Sequence, residues 1–256
     1  MRRRGAGAAP AVEVTMSGRV AVVTLARPRH GNVLDEATMH GLVGAAETLV
    51  DHDELCAVVL RARGRWFSVG LPAAMAWPPR AWPNGIEAIA RLPMPVVAAI
   101  GGEVRGWGLA LALACDLRVA AQRAVFWLPE VEKGRLPGGG VLPRLARFVG
   151  VGRAVELALL GSRISGREAG AWGLVTRVVA RTAVEPVAAR LARALARRGP
   201  QALRYAKEAV LRALDLPLTD GIRLEHDLYV LLQTTADRGE GIRAFLERRL
   251  PRFDAR

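Results

Sequence analysis

Few side chains in this sequence can do chemistry, and their types exclude several reactions. The four serines (Ser17, Ser68, Ser162, Ser165) and four histidines (His30, His40, His52, His226) suggest no Ser/His/Asp constellation. Cys56 and Cys115 stand alone, with no CxxC and no Cys/His pair at ligand spacing, so no metal site or disulfide framework is expected. Gly106-Trp107-Gly108 follows an apolar run and opens a helical one, but Leu111 stands where the third glycine of a dinucleotide fingerprint belongs. Pro137-Gly138-Gly139-Gly140 lacks the GK[ST] ending of a phosphate-binding loop. What survives is backbone chemistry: small residues at a helix start expose N–H groups that favour a developing negative charge. Glu130, directly behind Pro129, is the carboxylate of interest. On its own it reads as a cap for the next turn or a partner for an arginine; Glu103 and Glu132 read as surface groups.

The elements that must position these residues alternate. Val20 to Leu25 is a short, almost wholly apolar, β-branched run stopped by Arg27-Pro28, the pattern of a strand buried on both faces. Asp35 to Val50 has helical spacing, with Met39, Leu42, Ala45, Ala46 and Leu49 on one stripe. Further buried strands are predicted at Ala57 to Leu60 and at Val96 to Ile100. Between them, Phe67 to Pro95 is proline-rich and reads as a loop with one short helix near Gly85 to Arg91. Gly101 to Gly108 is a glycine-rich turn into a buried helix, Leu109 to Cys115. Strands alternating with helices predict an α/β fold with a largely parallel sheet covered on its faces.

Beyond Val179 the character changes. Ala183 to Arg198, Gln201 to Leu214, Thr219 to Thr235 and Glu240 to Arg249 read as amphipathic helices punctuated by Pro200, Pro217 and Gly239. Three regions follow: a loose tail over 1–11, a core over 12–180 and a helical region over 181–256 whose apolar stripes must cover the core or a neighbouring subunit.

At 256 residues, 51% hydrophobic and 24% charged, the chain can bury one sizeable core and is neither disordered nor fibrous. No stretch approaches the roughly 20 apolar residues of a membrane span. Met1-Arg2-Arg3-Arg4 is not followed by the apolar segment of a secretory signal, and the two isolated cysteines fit a reducing, cytoplasmic setting. Lys133 and Lys207 are the only lysines among 37 basic residues, which leaves 35 arginines and a net charge of +13. Such a surface is either a solvated arginine-rich face or an attractor of an anionic partner: a phosphorylated cofactor, a membrane or a nucleic acid. No nucleic-acid recognition motif accompanies the charge.

The order of motifs resembles the crotonase (enoyl-CoA hydratase/isomerase) superfamily over about residues 14 to 253. Ala21-Val22-Val23-Thr24-Leu25-Ala26-Arg27-Pro28 with Gly31-Asn32-Val33-Leu34 resembles its opening strand and turn. Phe67-Ser68-Val69-Gly70-Leu71-Pro72 resembles its first oxyanion loop, and Pro95 to Gly108 with Leu111 to Leu117 its second. Pro129-Glu130-Val131 to Gly140 resembles a third signature, and Glu240 to Arg249 with Pro251 and Phe253 the terminal helix.

The resemblance implies a crotonase-like spiral of ββα units that binds an acyl thioester. The carrier would be coenzyme A or a carrier protein, with coenzyme A as part of the substrate and neither a separate cofactor nor a metal. It also implies a homotrimer or homohexamer with the C-terminal helices between subunits; the hydropathy gives no reason to expect a membrane partner, and the sequence does not favour a nucleic-acid one. By position, the N–H groups of Leu71 and Trp107 would hold the thioester oxygen; each such donor is typically worth ~3–4 kcal/mol in the transition state. Gly70, Gly106, Gly108, Pro137 and Gly138 would border the substrate. Met75, Trp77 and Trp82 with Trp107 read either as a wall for an acyl group or as packing beneath the proline-rich loop.

Two departures from the family pattern matter. Trp107 stands where glycine is common, which would cost about 1–2 kcal/mol if the site demands a positive φ there. Ala110 stands where hydratases of the family have the first of two glutamates, leaving Glu130 alone as the expected catalytic acid/base. Addition of water benefits from two such groups, whereas moving a double bond needs only one to carry a proton between carbons. Double-bond isomerisation is therefore the leading expectation. Hydration, another lyase or hydrolase reaction, and a catalytically silent thioester-binding subunit are the alternatives.

Overall fold

The structure, a computed structural model, describes residues 10–75 and 77–253. Residues 1–9 of the expected loose tail and 254–256 of the helical region lie outside the described residues. Within that tail, Ala11 accepts a backbone hydrogen bond from Ala26 at 2.9 Å.

The chain builds successive ββα units. The first is β1 (Val12–Ser17), β2 (Val20–Leu25) and α1 (Glu36–Val50). The second is β3 (Ala57–Ala62), β4 (Trp66–Ser68) and α2 (Gly85–Ala90); the third is β5 (Val96–Ile100), β6 (Glu103–Arg105) and α3 (Trp107–Ala114). The fourth is β7 (Leu117–Ala121), β8 (Val125–Trp127), a 3-10 turn over Val131–Lys133, and α4 (Val141–Val149). After these come α5 (Val151–Leu160), β9 (Ile164–Ser165), α6 (Gly166–Ala171) and β10 (Arg177–Val179). The helices α7 (Val184–Leu195), α8 (Pro200–Ala213), α9 (Leu218–Gln233) and α10 (Ala236–Leu246) complete the described chain.

From the second unit onward the two strands of each unit part company. The first joins a six-stranded sheet, β1-β2-β3-β5-β7-β10, parallel except for the β1/β2 hairpin. The second joins a four-stranded sheet, β4-β6-β8-β9. This alternation gives the expected spiral without a fixed sequence period.

The long elements lie close to their predicted places because burial selects their residues. β2 and β5 have the expected bounds, and every residue of β5 is buried. In α1 the stripe Met39, Leu42, Ala45, Ala46 and Leu49 is buried, and Asp35 sits outside as the cap, accepting from the Thr38 N–H at 3.1 Å. α3 is buried throughout and begins at Trp107, two residues ahead of expectation. Gly239, read as a separator, lies inside α10, which starts early because the Thr235 hydroxyl caps it. Pro200, by contrast, occupies the first turn of α8, where its missing N–H costs no helical hydrogen bond.

α7 packs on β3, β5 and β7 through Val184, Ala188 and Ala192. α8 and α9 pack chiefly on each other. Two side chains tie α8 to the core: Arg204 bonds the Asp53 carboxylate and carbonyl at 3.0 Å, and Lys207 Nζ lies 2.7 Å from Asp116 Oδ2 and 3.2 Å from the Met94 carbonyl, while the Asp116 carboxylate also accepts from the Val96 N–H at 2.7 Å.

Candidate active site

Strands β4, β6 and β8 run parallel and side by side, so their carboxyl ends, Ser68, Arg105 and Trp127, lie together. That is the edge at which parallel sheets present ligands. Leu71, Trp107 and Glu130 each follow within three residues of one of these ends.

The first loop is held from behind by the turn at Asn32. This residue is buried in a left-handed conformation, φ 51, and its side chain donates to the carbonyls of Arg63 and Trp66 at 3.0 and 2.8 Å. Its Oδ1 accepts from the Arg27 N–H at 3.0 Å. The buried Ser68 hydroxyl donates to the Asn32 carbonyl at 2.8 Å and accepts from the Gly70 N–H at 3.1 Å. The Val69 N–H donates to Gly31 O at 3.0 Å, and the Leu34 N–H to Gly70 O at 2.8 Å. The backbone around Leu71 is thus fixed by its neighbours.

In the second loop the positive φ falls on Gly106, φ 52 and ψ −121. Trp107 is outside the left-handed region and starts α3, so the strain considered from sequence does not arise at the tryptophan. Neither the Leu71 nor the Trp107 N–H donates to a protein carbonyl among the described residues. The Trp107 N–H is one of the unsatisfied donors of a helix N-terminus, where negative charge is favoured.

Three glycines bring the segments together by what they lack. A methyl on Gly70 would lie 2.9 Å from Arg105 O and 3.1 Å from Trp107 N, so the first loop passes directly against the second. One on Gly108 would lie 2.5 Å from Ser68 O. One on Gly106 would collide with Glu130 Oε1. The carboxylate therefore rests against the peptide that carries the Trp107 N–H.

Glu130 leads into the 3-10 turn, and its carbonyl accepts from the N–H groups of Lys133 and Arg135 at 3.0 and 2.9 Å. Its Oε2 is buried without a hydrogen-bond partner among the described residues. Burial pushes its pKa above the ordinary glutamate value, although Arg105, Lys133 and Arg135 each pull it down. A half-buried carboxylate with an unused oxygen is suited to take and return a proton.

These groups line one cleft of about 130 Å³. Val69, Leu71, Pro72, Ala73 and Met75 form the side after β4; Arg105 and Trp107 form the second; Pro129, Glu130, Lys133 and Arg135 form the third. Met75 thus lines the cleft. Trp77 is exposed and stands edge-on to Trp107, with ring centroids 5.3 Å apart. Pro137 and Gly138 are buried, and a methyl on Gly138 would lie 2.6 Å from the Trp77 ring and 2.7 Å from that of Trp107. Trp82 is not brought to this lining; it packs against the core beside the loop. Ala110 is fully buried within α3. Among the described residues no three His, Cys, Asp or Glu side chains gather as a metal site.

Sequence reasoning assigned no role to Arg105, Lys133 and Arg135 in the cleft or to Asn32 behind it. The first three were visible as cations within five residues of expected site positions, but their convergence depends on the smaller sheet.

The sequence profile of the Enoyl-CoA hydratase/isomerase family matches residues 15–256. The chain is 35% identical over 254 residues to the 2,3-dehydroadipyl-CoA hydratase of Escherichia coli, covering 95% of this chain and 98% of that one. The crystal structure of an enoyl-CoA hydratase from Bacillus anthracis superposes with a TM-score of 0.91 at 33% identity, over 96% of this chain and 100% of the other. One from Mycobacterium tuberculosis does so with a TM-score of 0.90 at 29% identity, over 97% and 100%.

Proposed function

Because the chain belongs to the enoyl-CoA hydratase/isomerase family, we propose that it shifts the double bond of an enoyl thioester from C3=C4 to C2=C3, with Glu130 as its one acid/base group. The observation that carries this reading is that Glu130 is the one carboxylate lining the cleft among the described residues, while Ala110 fills the helical position where a second would stand.

The thioester oxygen accepts from the N–H groups of Leu71 and Trp107. Glu130 removes a proton from C2, and the electron pair of the broken C–H bond spreads over the oxygen, C2 and C4 as a dienolate. The protonated Glu130, whose proton can exchange with solvent, then delivers a proton to C4. The two amide donors are already oriented, so the negative charge is stabilised as it forms, without reorganisation.

Turnover of 3-enoyl-CoA esters in D₂O tests the assignment. Wild type is expected to isomerise and to exchange the C2 proton, and Glu130→Gln to lose about 10²–10⁴-fold in rate. Full activity in the variant would sink the assignment of the base. Hydration of 2-enoyl-CoA by wild type as fast as isomerisation would favour the hydratase alternative.

The apolar residues left exposed on the C-terminal helices support a second element of the proposal, a homotrimer or a pair of trimers. Leu218, Ile222, Tyr229, Phe245 and Leu246 are each more than half exposed in the single chain. Helices with an apolar face need a cover, and copies of the same chain supply one.

A further inference from the structure

Three cations share the cleft with Glu130. Arg105 ends β6, Lys133 closes the turn behind Glu130 and Arg135 follows it; all three line the same space. None of them pairs with a carboxylate among the described residues. The protein occupies only part of their donor capacity: Arg105 Nε donates to Val69 O at 3.1 Å, and Arg135 Nη1 to Met75 O at 3.2 Å and Ala73 O at 3.4 Å. These carbonyl contacts anchor both guanidinium groups at the cleft wall, with further N–H groups free to take an anion.

A plain hydrocarbon chain could pack on Val69, Leu71, Met75 and Trp107 but would leave the three cations without a partner. Packing methylenes against cations strips water from the charges and returns no hydrogen bond. We infer that the acyl group carries its own carboxylate, a few carbons from the thioester, so that the substrate class is a dicarboxylic acyl thioester. The inference rests on the proposed placement of the thioester oxygen on the Leu71 and Trp107 N–H groups.

Coenzyme A phosphates are the other source of negative charge, and length separates the two. The pantetheine arm is comparable to a four-residue extended peptide, on the order of 14 Å. With the thioester held at Leu71 and Trp107, the phosphates lie an arm's length from these N–H groups, whereas Arg105, Lys133 and Arg135 line the same cleft as Leu71 and Trp107. A carboxylate on the acyl chain falls within it, where arginine forks and an ammonium supply charge-assisted hydrogen bonds.

Calorimetric titration of the full chain with glutaryl-CoA and pentanoyl-CoA, saturated esters of equal chain length, tests this directly. Glutaryl-CoA is expected to bind about tenfold tighter or better, the factor one charge-assisted hydrogen bond supplies. The preference should persist for the corresponding pantetheine thioesters, which have no phosphate. Lys133→Met should remove most of the preference and leave pentanoyl-CoA affinity within about threefold. Lys133 is exposed, so folding of its variant is not at issue.

Equal affinity for the two CoA esters would overturn the inference. So would variants that weaken both CoA esters alike and neither pantetheine ester, since the cations would then serve the phosphates. If wild type isomerises 3-enoyl-CoA without any preference for a carboxylate, only this inference fails. If no thioester binds, the proposed function fails with it.

Discussion

At the scale of single residues, the site depends on small groups standing where larger ones would block it. Gly106→Ala would place a methyl against the Glu130 carboxylate on a backbone with φ 52. The expected outcome is a loss of about 1–2 kcal/mol of stability from the left-handed strain together with a large fall in kcat, measurable by chemical denaturation and steady-state kinetics. Glu130 itself trades stability for function. Burial raises its pKa in the folded protein, so its contribution to stability is complete below the ordinary value of about 4.3 and is lost as pH rises through the raised one. Glu130→Gln, neutral at every pH, should therefore match or exceed the wild-type Tm at pH 7, with the gap closing at acidic pH. A lower Tm for the variant at neutral pH would contradict burial as the dominant influence. The same shift should move the acid limb of the wild-type rate profile above the range of an ordinary glutamate.

At the scale of elements, the first loop is positioned by a turn about 40 residues earlier in the chain. Asn32 joins the Arg63 and Trp66 carbonyls to the Arg27 N–H and carries the carbonyl on which Ser68 rests. Asn32→Ala would leave those buried groups without partners in a left-handed turn. We expect it to cost about 2–4 kcal/mol, the order set by unsatisfied buried hydrogen bonds with the added φ strain. Because Leu71 moves with that loop, kcat should fall more than KM rises; a stability loss with unchanged kcat would show the loop to be independent of the turn. On the opposite side, Arg144 joins α4 to α2 through Glu87 at 2.9 Å and holds the Gly139 carbonyl at 3.2 Å, steadying the glycine-rich stretch beneath the Trp107 ring.

At the scale of the whole molecule, the C-terminal helices divide between two tasks. α7 covers the larger sheet and belongs to its core. α8 is anchored through Lys207 and Asp116, whereas α9 and α10 bury little within one chain: Gly221 and Leu228 in the first, Asp237, Glu240 and Ala244 in the second. Leu218 and Phe245 are 80% and 82% exposed, which makes them sensitive reporters of assembly. A Leu218→Asp, Phe245→Asp variant is expected to shift the mass measured by light scattering from a trimer or hexamer toward a single chain. A wild-type chain that is monomeric at micromolar concentration would refute the proposed assembly.

From the sequence alone came the α/β class, the long buried strands β2 and β5, the stripe of α1 and the helices that follow Val179; Leu71, Trp107 and Glu130 came from it as candidate positions, which the structure sets around one cleft. Those features announce themselves through wholly or almost wholly apolar segments of five or six residues, helical periodicity and ordered motifs, all of which are local in the chain. The smaller sheet did not, because β4, β6 and β8 have three residues each and β9 two, too short for any period to register. Yet that sheet sets the carboxyl ends of three strands side by side and so gathers residues from three distant loops into one cleft. Its convergence also turned Arg105, Lys133 and Arg135 from scattered members of an arginine-rich composition into the lining of a single site. Only tertiary pairing could decide this, since pairing between short strands is selected by the packing of whole ββα units around them and not by the few residues they contain.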